Sequence, residues 1–177
     1  MKAICSIVLF FSLFLLSCNS EPTLQKYFVE NTENKDFIAL DLSPSILNVD
    51  KTKLSIAQSD ALKSFDKMNI LAFKLNDTNK VQFEAERAKV NSILKDVKYQ
   101  QLMKVGSGKE GASVSYVGSD EHIEEFVFFV NRKENGFAVI RVLGKDMNPT
   151  NIMTMMQVLQ KSNVNLEQLK PLEQLFK

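Results

Sequence analysis

Between Ile123 and Leu143 two apolar runs, Phe126–Val130 and Phe137–Leu143, flank Asn135-Gly136, a dipeptide that readily supplies the positive φ angles of a tight hairpin turn. A period of two sets Phe126, Phe128 and Val130 on one face of the first run, with Val127 and Phe129 on the other. In the second run Ala138, Ile140 and Val142 share a face, and Phe137, Val139 and Leu143 share the opposite one, where Arg141 intrudes. Both faces are apolar, so this hairpin belongs at the centre of a sheet covered on both sides. Alone in water it has too little support to be stable.

The remaining pattern supplies the neighbours. Phe37–Leu42 reads as a strand ended by Ser43-Pro44, and Asn69–Leu75 as another stopped by Asn76-Asp77. Tyr99–Val105 and Ala112–Val117 read as strands around a glycine-rich turn. In the second of these Ala112, Val114 and Tyr116 point inward, while Ser113 and Ser115 face water. Leu54–Met68 reads as a helix burying Ile56, Ala61, Leu62 and Phe65. A second helix begins at a cap on Asp77 or Thr78 and buries Val81, Ala85, Ala88, Val90, Ile93, Leu94 and Val97. Asn148-Pro149 opens a third, with Ile152, Met155, Met156 and Leu159 as its stripe. Leu166, Leu169, Leu172, Leu175 and Phe176 continue the amphipathic pattern, and Pro171 interrupts it. The fold class expected is α+β: a mixed or mainly antiparallel sheet of about five to six strands with helices packed on it.

The run from Tyr99 to Met103 (YQQLM), the serine-bearing strand and IEEFVFFVNRKENGFAVIRVLGKDMNPTNI resemble a family of uncharacterised Bacteroidota lipoproteins, the domain-of-unknown-function 4252 family. The shared features are a YxxLM-like strand, an acidic pair opening Phe126–Val130, a V-I-R-V-L-G-type strand and a polar helix cap after it. The similarity spans most of Phe37–Leu159. It implies an α+β domain on an anchored lipoprotein and brings no catalytic signature.

The amino terminus agrees with an anchor. Lys2 precedes an apolar core, Ile7–Leu16, too short to span a bilayer comfortably. The core ends in Leu15-Leu16-Ser17-Cys18, which resembles the bacterial lipobox and implies cleavage before Cys18 and lipidation of its thiol. The expected organisation is a signal peptide over residues 1–17, a lipidated tether over 18–35 and one domain over 36–177. Within the tether Leu24, Tyr27 and Phe28 sit at i, i+3 and i+4, a turn able to dock on the domain. The chain's two cysteines are Cys5 and Cys18, so the body offers neither disulfide nor thiolate metal site. A formal net charge of +1 lacks the basic excess that phosphate-backbone binding requires, and no nucleic-acid partner is expected. With no inner-membrane retention signal after Cys18, the expected place is the outer membrane, facing the periplasm.

Candidate chemistry is sparse. Gly106-x-Gly108-x-x-Gly111 has dinucleotide-loop spacing, but a strand follows it where a phosphate-binding helix is required, and it reads as a hairpin loop. Asp120, His122 and Glu124 share one face of an extended segment, the donor set of an open divalent-metal site or of acid–base chemistry; the bland reading is a solvated strand start. His122 is the only histidine, no serine sits in a nucleophile elbow, and Asp41 reads as a solvent-facing carboxylate. Met147, Met153, Met155 and Met156 cluster around the last regular helix, where core filling is the simpler role. Met155, Met156, Leu166, Leu169, Leu172 and Phe176 make a candidate partner-docking surface. No cofactor is implied. Two function classes follow: a non-enzymatic binding or accessory module of the envelope, its partners the membrane and an envelope protein, or a small hydrolase or metal-dependent enzyme using His122. A buried, oriented carboxylate beside His122 favours the enzyme, and an open apolar patch favours the module.

Overall fold

A computed structural model describes residues 22–47, 50–106 and 110–161. Cys18, Leu166, Leu169, Leu172, Leu175 and Phe176 lie outside the described residues, as does the Met156 side chain. Among the described residues, four α-helices and six strands follow in the order α1 (Leu24–Asn31), β1 (Phe37–Leu42), α2 (Ile56–Lys63), β2 (Phe65–Lys74), α3 (Lys80–Ile93), β3 (Gln100–Gly106), β4 (Gly111–Ser119), β5 (His122–Arg132), β6 (Gly136–Met147) and α4 (Pro149–Lys161). The strands form one open sheet in the order β1-β2-β6-β5-β4-β3, antiparallel throughout. The last strand thus inserts between β2 and β5, and the β5–β6 hairpin is central, as its two apolar faces demand.

Each face has its own core. On one, the cross-strand row Phe37, Phe73 and Phe137 meets Phe83 of α3 and Tyr27 of α1. Phe73 and Phe137 stack at 5.6 Å, and Phe37 meets Phe73 edge-on at 5.0 Å. On the other face, Phe126, Val142 and Tyr116 pack with Phe65, Met147 and, from α4, Ile152 and Met155. Met147 and Met155 therefore fill core, while Met153 is exposed. Asn148 caps α4 through the Asn151 N–H at 2.8 Å, as the Asn-Pro start suggests.

Four local expectations are corrected. The helix expected over Leu54–Met68 ends at Lys63, and β2 starts at Phe65, because pairing with Leu42 on one side and Leu143 on the other claims Lys67 and Met68. Ile56 consequently projects into solvent from the first turn, opened by a capping box between Ser55 and Gln58. On α3 the buried positions are Phe83, Glu86, Val90 and Ile93, while Val81, Ala85 and Ala88 face water and Val97 lies beyond the helix, also exposed. The phenylalanine, the largest apolar group there, sets the phase by packing on Phe73 and Phe137. Asn79 occupies the cap position; its side chain instead donates to Asp36 and to the Lys74 carbonyl.

At the central hairpin the loop is Lys133–Asn135, and Gly136, paired with Arg132, has the positive φ (124°) while Asn135 does not. A side chain at Gly136 would run into the Phe73 carbonyl. Finally, Leu24, Tyr27 and Phe28 dock as the sequence suggests, and they are buried in the main core. The packed unit therefore reaches back to α1, earlier than a boundary at residue 36.

Candidate functional site

Asp120, His122 and Glu124, the candidate cluster, do not converge. A bulge shifts the register around Gly118 and Ile123, and β5 begins only at His122, so Asp120 falls in the turn before it. Asp120 accepts a hydrogen bond from the Tyr116 hydroxyl. That bond, ahead of burial, pushes the Tyr116 hydroxyl above its ordinary value. His122 Nδ1 instead lies 2.7 Å from Asp146 Oδ1, with side chains 69 and 77 % exposed. Glu124 is exposed. Among the described residues no group of three His, Cys, Asp or Glu side chains is arranged to hold a metal. Asp41 is solvent-facing at the strand edge and accepts from Asn69.

Ser113 and Ser115 correct the outward-facing expectation for β4. They point to the face that α3 covers, and Ser115 is buried. With Gln101, Lys104, Asn131, Asn91 and Lys95 they line a cleft of about 140 Å³ floored by Phe129. Small serines opposite bulky Val127 and Phe129 leave that space open. The alternation was legible; the side it faced depended on where α3 crosses. Its groups are neutral hydrogen-bonders and lysines, suited to holding a small polar molecule and lacking a base to activate a nucleophile.

The opposite sheet face divides into two zones. One end is covered by α4. Beyond it, two neighbouring cross-strand rows are half-buried or exposed at Leu40, Ile140, Phe128, Val114 and Met103 and at Ile38, Ala138, Val130, Ala112 and Val105, while their β2 members, Ile70 and Ala72, are buried. Every one of these side chains is apolar. A groove of about 90 Å³ along Val130, Ala138 and Ile140, bounded by Arg132, lies within this zone.

A third feature lies between α1 and α3, where Pro22, Thr23, Lys26, Tyr27, Glu30, Lys89, Ser92 and Ile93 surround about 320 Å³. Thr23 caps α1 by accepting the Lys26 N–H at 3.2 Å. Lys26 faces Glu30 at 3.8 Å, and Lys89 donates to the buried Glu86 at 2.9 Å. Tyr27 is 3 % exposed; its hydroxyl and the second Glu86 oxygen are both buried, and Glu86 is the acceptor beside the hydroxyl. Burial, then the Glu86 charge, raises the Tyr27 hydroxyl far above the ordinary tyrosine range. From sequence Glu86 reads only as an acid placed early in the helix, matching its dipole. The spacing Phe83, Glu86, Val90 is the signal that would have found it.

No curated protein matches the chain, and no solved structure does. The family model described as "Domain of unknown function (DUF4252)" matches residues 27–155, well over half of the sequence and nearly all of the sheet and its helices. The chain belongs to this family of domains of unknown function.

Proposed function

We propose that the protein is a lipid-anchored, non-enzymatic binding or accessory module of the cell envelope, held through Cys18 to the outer membrane and facing the periplasm. The observation that supports this reading is the pair of apolar rows from Leu40 to Met103 and Ile38 to Val105, which stay half-buried or exposed except at Ile70 and Ala72. An apolar zone of this width costs solubility unless something covers it, which marks it as an interaction surface. The acid–base groups give the competing enzyme reading little support, since His122 and Asp146 meet on exposed surface and line none of the three clefts described above.

Chemical crosslinking in native membranes tests it. The intact chain should capture an envelope protein, and Val130→Lys, a charge placed in the open zone, should abolish the capture without changing melting. A chain ending at Lys161 separates the alternatives. Lost capture with unchanged melting assigns docking to the stripe of Leu166, Leu169, Leu172 and Phe176 beside Met155 and Met156; lost melting assigns that stripe to the domain itself. Capture unaffected by either change would sink the reading.

A further inference from the structure

The cleft floored by Phe129 holds polar groups that the fold does not use. Ser115 is 5 % exposed, yet its hydroxyl has no hydrogen-bond partner among the described residues and is not sealed off. It lines the cleft, so its partner has to come from there. Ser113 lies on the same face of β4, and Gln101 of β3 is the cross-strand neighbour of Ser115. The Ser113 hydroxyl and the Gln101 amide are likewise unbonded among the described residues. Each of these groups can both donate and accept, which matches the hydroxyls of a sugar.

Charge narrows the class. Lys95 and Lys104 line the cleft and form no ion pair among the described residues, and no described carboxylate lines it with them. The matching occupant carries negative charge. Leu94, the residue that ends α3, is also in the lining, so the negative pole of the helix dipole faces the same space. That pole disfavours a dianion such as phosphate relative to a single carboxylate. Leu94, Val105 and Phe129 supply an apolar wall for carbon. At about 140 Å³ the cleft is well below the ~300 Å³ of a drug-sized site, so it suits one ring with its substituents and not a nucleotide.

We propose that this cleft binds a sugar acid of the uronic type. Its ring carbons lie against Leu94 and Phe129, its hydroxyls on Ser113, Ser115 and Gln101, and its carboxylate toward Lys95 and Lys104. The cleft lies across the sheet from the open apolar rows, so the two surfaces can be occupied together. The inference is independent of the anchor at Cys18 and of any envelope partner.

The test titrates the full chain, in micelles of a sugar-free polyoxyethylene detergent, while the Ser113 and Ser115 amides are followed by NMR. The probes are D-galacturonate, D-galactose, acetate, inorganic phosphate and trigalacturonate. Galacturonate should saturate about tenfold more tightly than galactose, which lacks the charge, or acetate, which lacks the hydroxyls. Ser115→Ala should weaken its binding about fivefold, the loss of one hydrogen bond. The double variant Lys95→Gln with Lys104→Gln, both at exposed positions, should weaken it about tenfold with unchanged melting, and it reads the same site if Ser115→Ala disturbs the fold. Trigalacturonate binding as tightly as the monomer supports the end of an acidic glycan as the source, and its exclusion supports a free sugar acid. No response to galacturonate, equal or tighter binding of galactose, acetate or phosphate, or affinity unchanged in the double lysine variant overturns the proposal.

Discussion

Arg141 and Glu125 form a two-pronged ion pair inside the protein: Nε to Oε1 at 2.6 Å and Nη2 to Oε2 at 3.2 Å, with the two side chains 6 and 12 % exposed. They stand diagonally across β5 and β6 on the face that α1 covers. The remaining Arg141 nitrogen donates to Gln25 of α1 at 2.7 Å, and the guanidinium lies over the Phe28 ring. The charge that seemed out of place in an apolar strand thus fastens the first helix to the sheet.

Arg141→Ala should therefore destabilise the fold by about 3–5 kcal/mol, since it strands a buried carboxylate. Replacing both partners, Arg141→Met with Glu125→Leu, should recover most of that loss. Urea unfolding of the three variants measures it; a double variant as unstable as the single one would show that the pair's geometry matters beyond its charges.

Alkaline stability should depend on Tyr27. Its hydroxyl is held above the ordinary tyrosine value by burial and then by Glu86, so the folded chain keeps a proton that the unfolded chain releases. The stabilisation is complete below pH ~10 and is lost as pH rises further, at about 1.4 kcal/mol per pH unit. Tyr27→Phe should flatten the fall in unfolding free energy between pH ~10 and ~11 by that slope. Tyr99, raised by burial and then by Glu125, leaves a residual slope in the variant. Identical slopes in both proteins would mean that Tyr27 is freely titrating.

His122→Ala should change stability by less than ~0.5 kcal/mol, the usual range for an exposed substitution. Its partner Asp146 is equally exposed. Elemental analysis of the wild type and the variant provides the sharper check: a stoichiometric metal present only in the wild type would revive the enzyme reading.

Cys18→Ala should leave a precursor that fails to partition with lipoproteins, because acyl chains contribute about 0.8 kcal/mol per buried CH₂ to anchoring. Metabolic labelling with a palmitate analogue reads this directly. Label retained on the variant would place the anchor elsewhere.

The sequence by itself determined the elements whose signals are local. Alternation in Phe126–Val130 and Phe137–Leu143 named the central hairpin, Asn148-Pro149 named the start of α4, and Leu24, Tyr27 and Phe28 named a docking turn, because each depends on neighbours within a few residues. The family too was legible in those strands. Only the tertiary structure decided which side each element shows to what. Placing β6 between β2 and β5 drew Lys67 and Met68 into a strand, and α3 crossing the far side of the sheet turned Ser113 and Ser115 inward. The turn at Asp120-Glu121 before β5 parted Asp120 from His122, and packing against Tyr27 put Glu86 in the interior. Period and propensity specify a stripe or a face; burial depends on partners distant in the chain, and no local pattern encodes them.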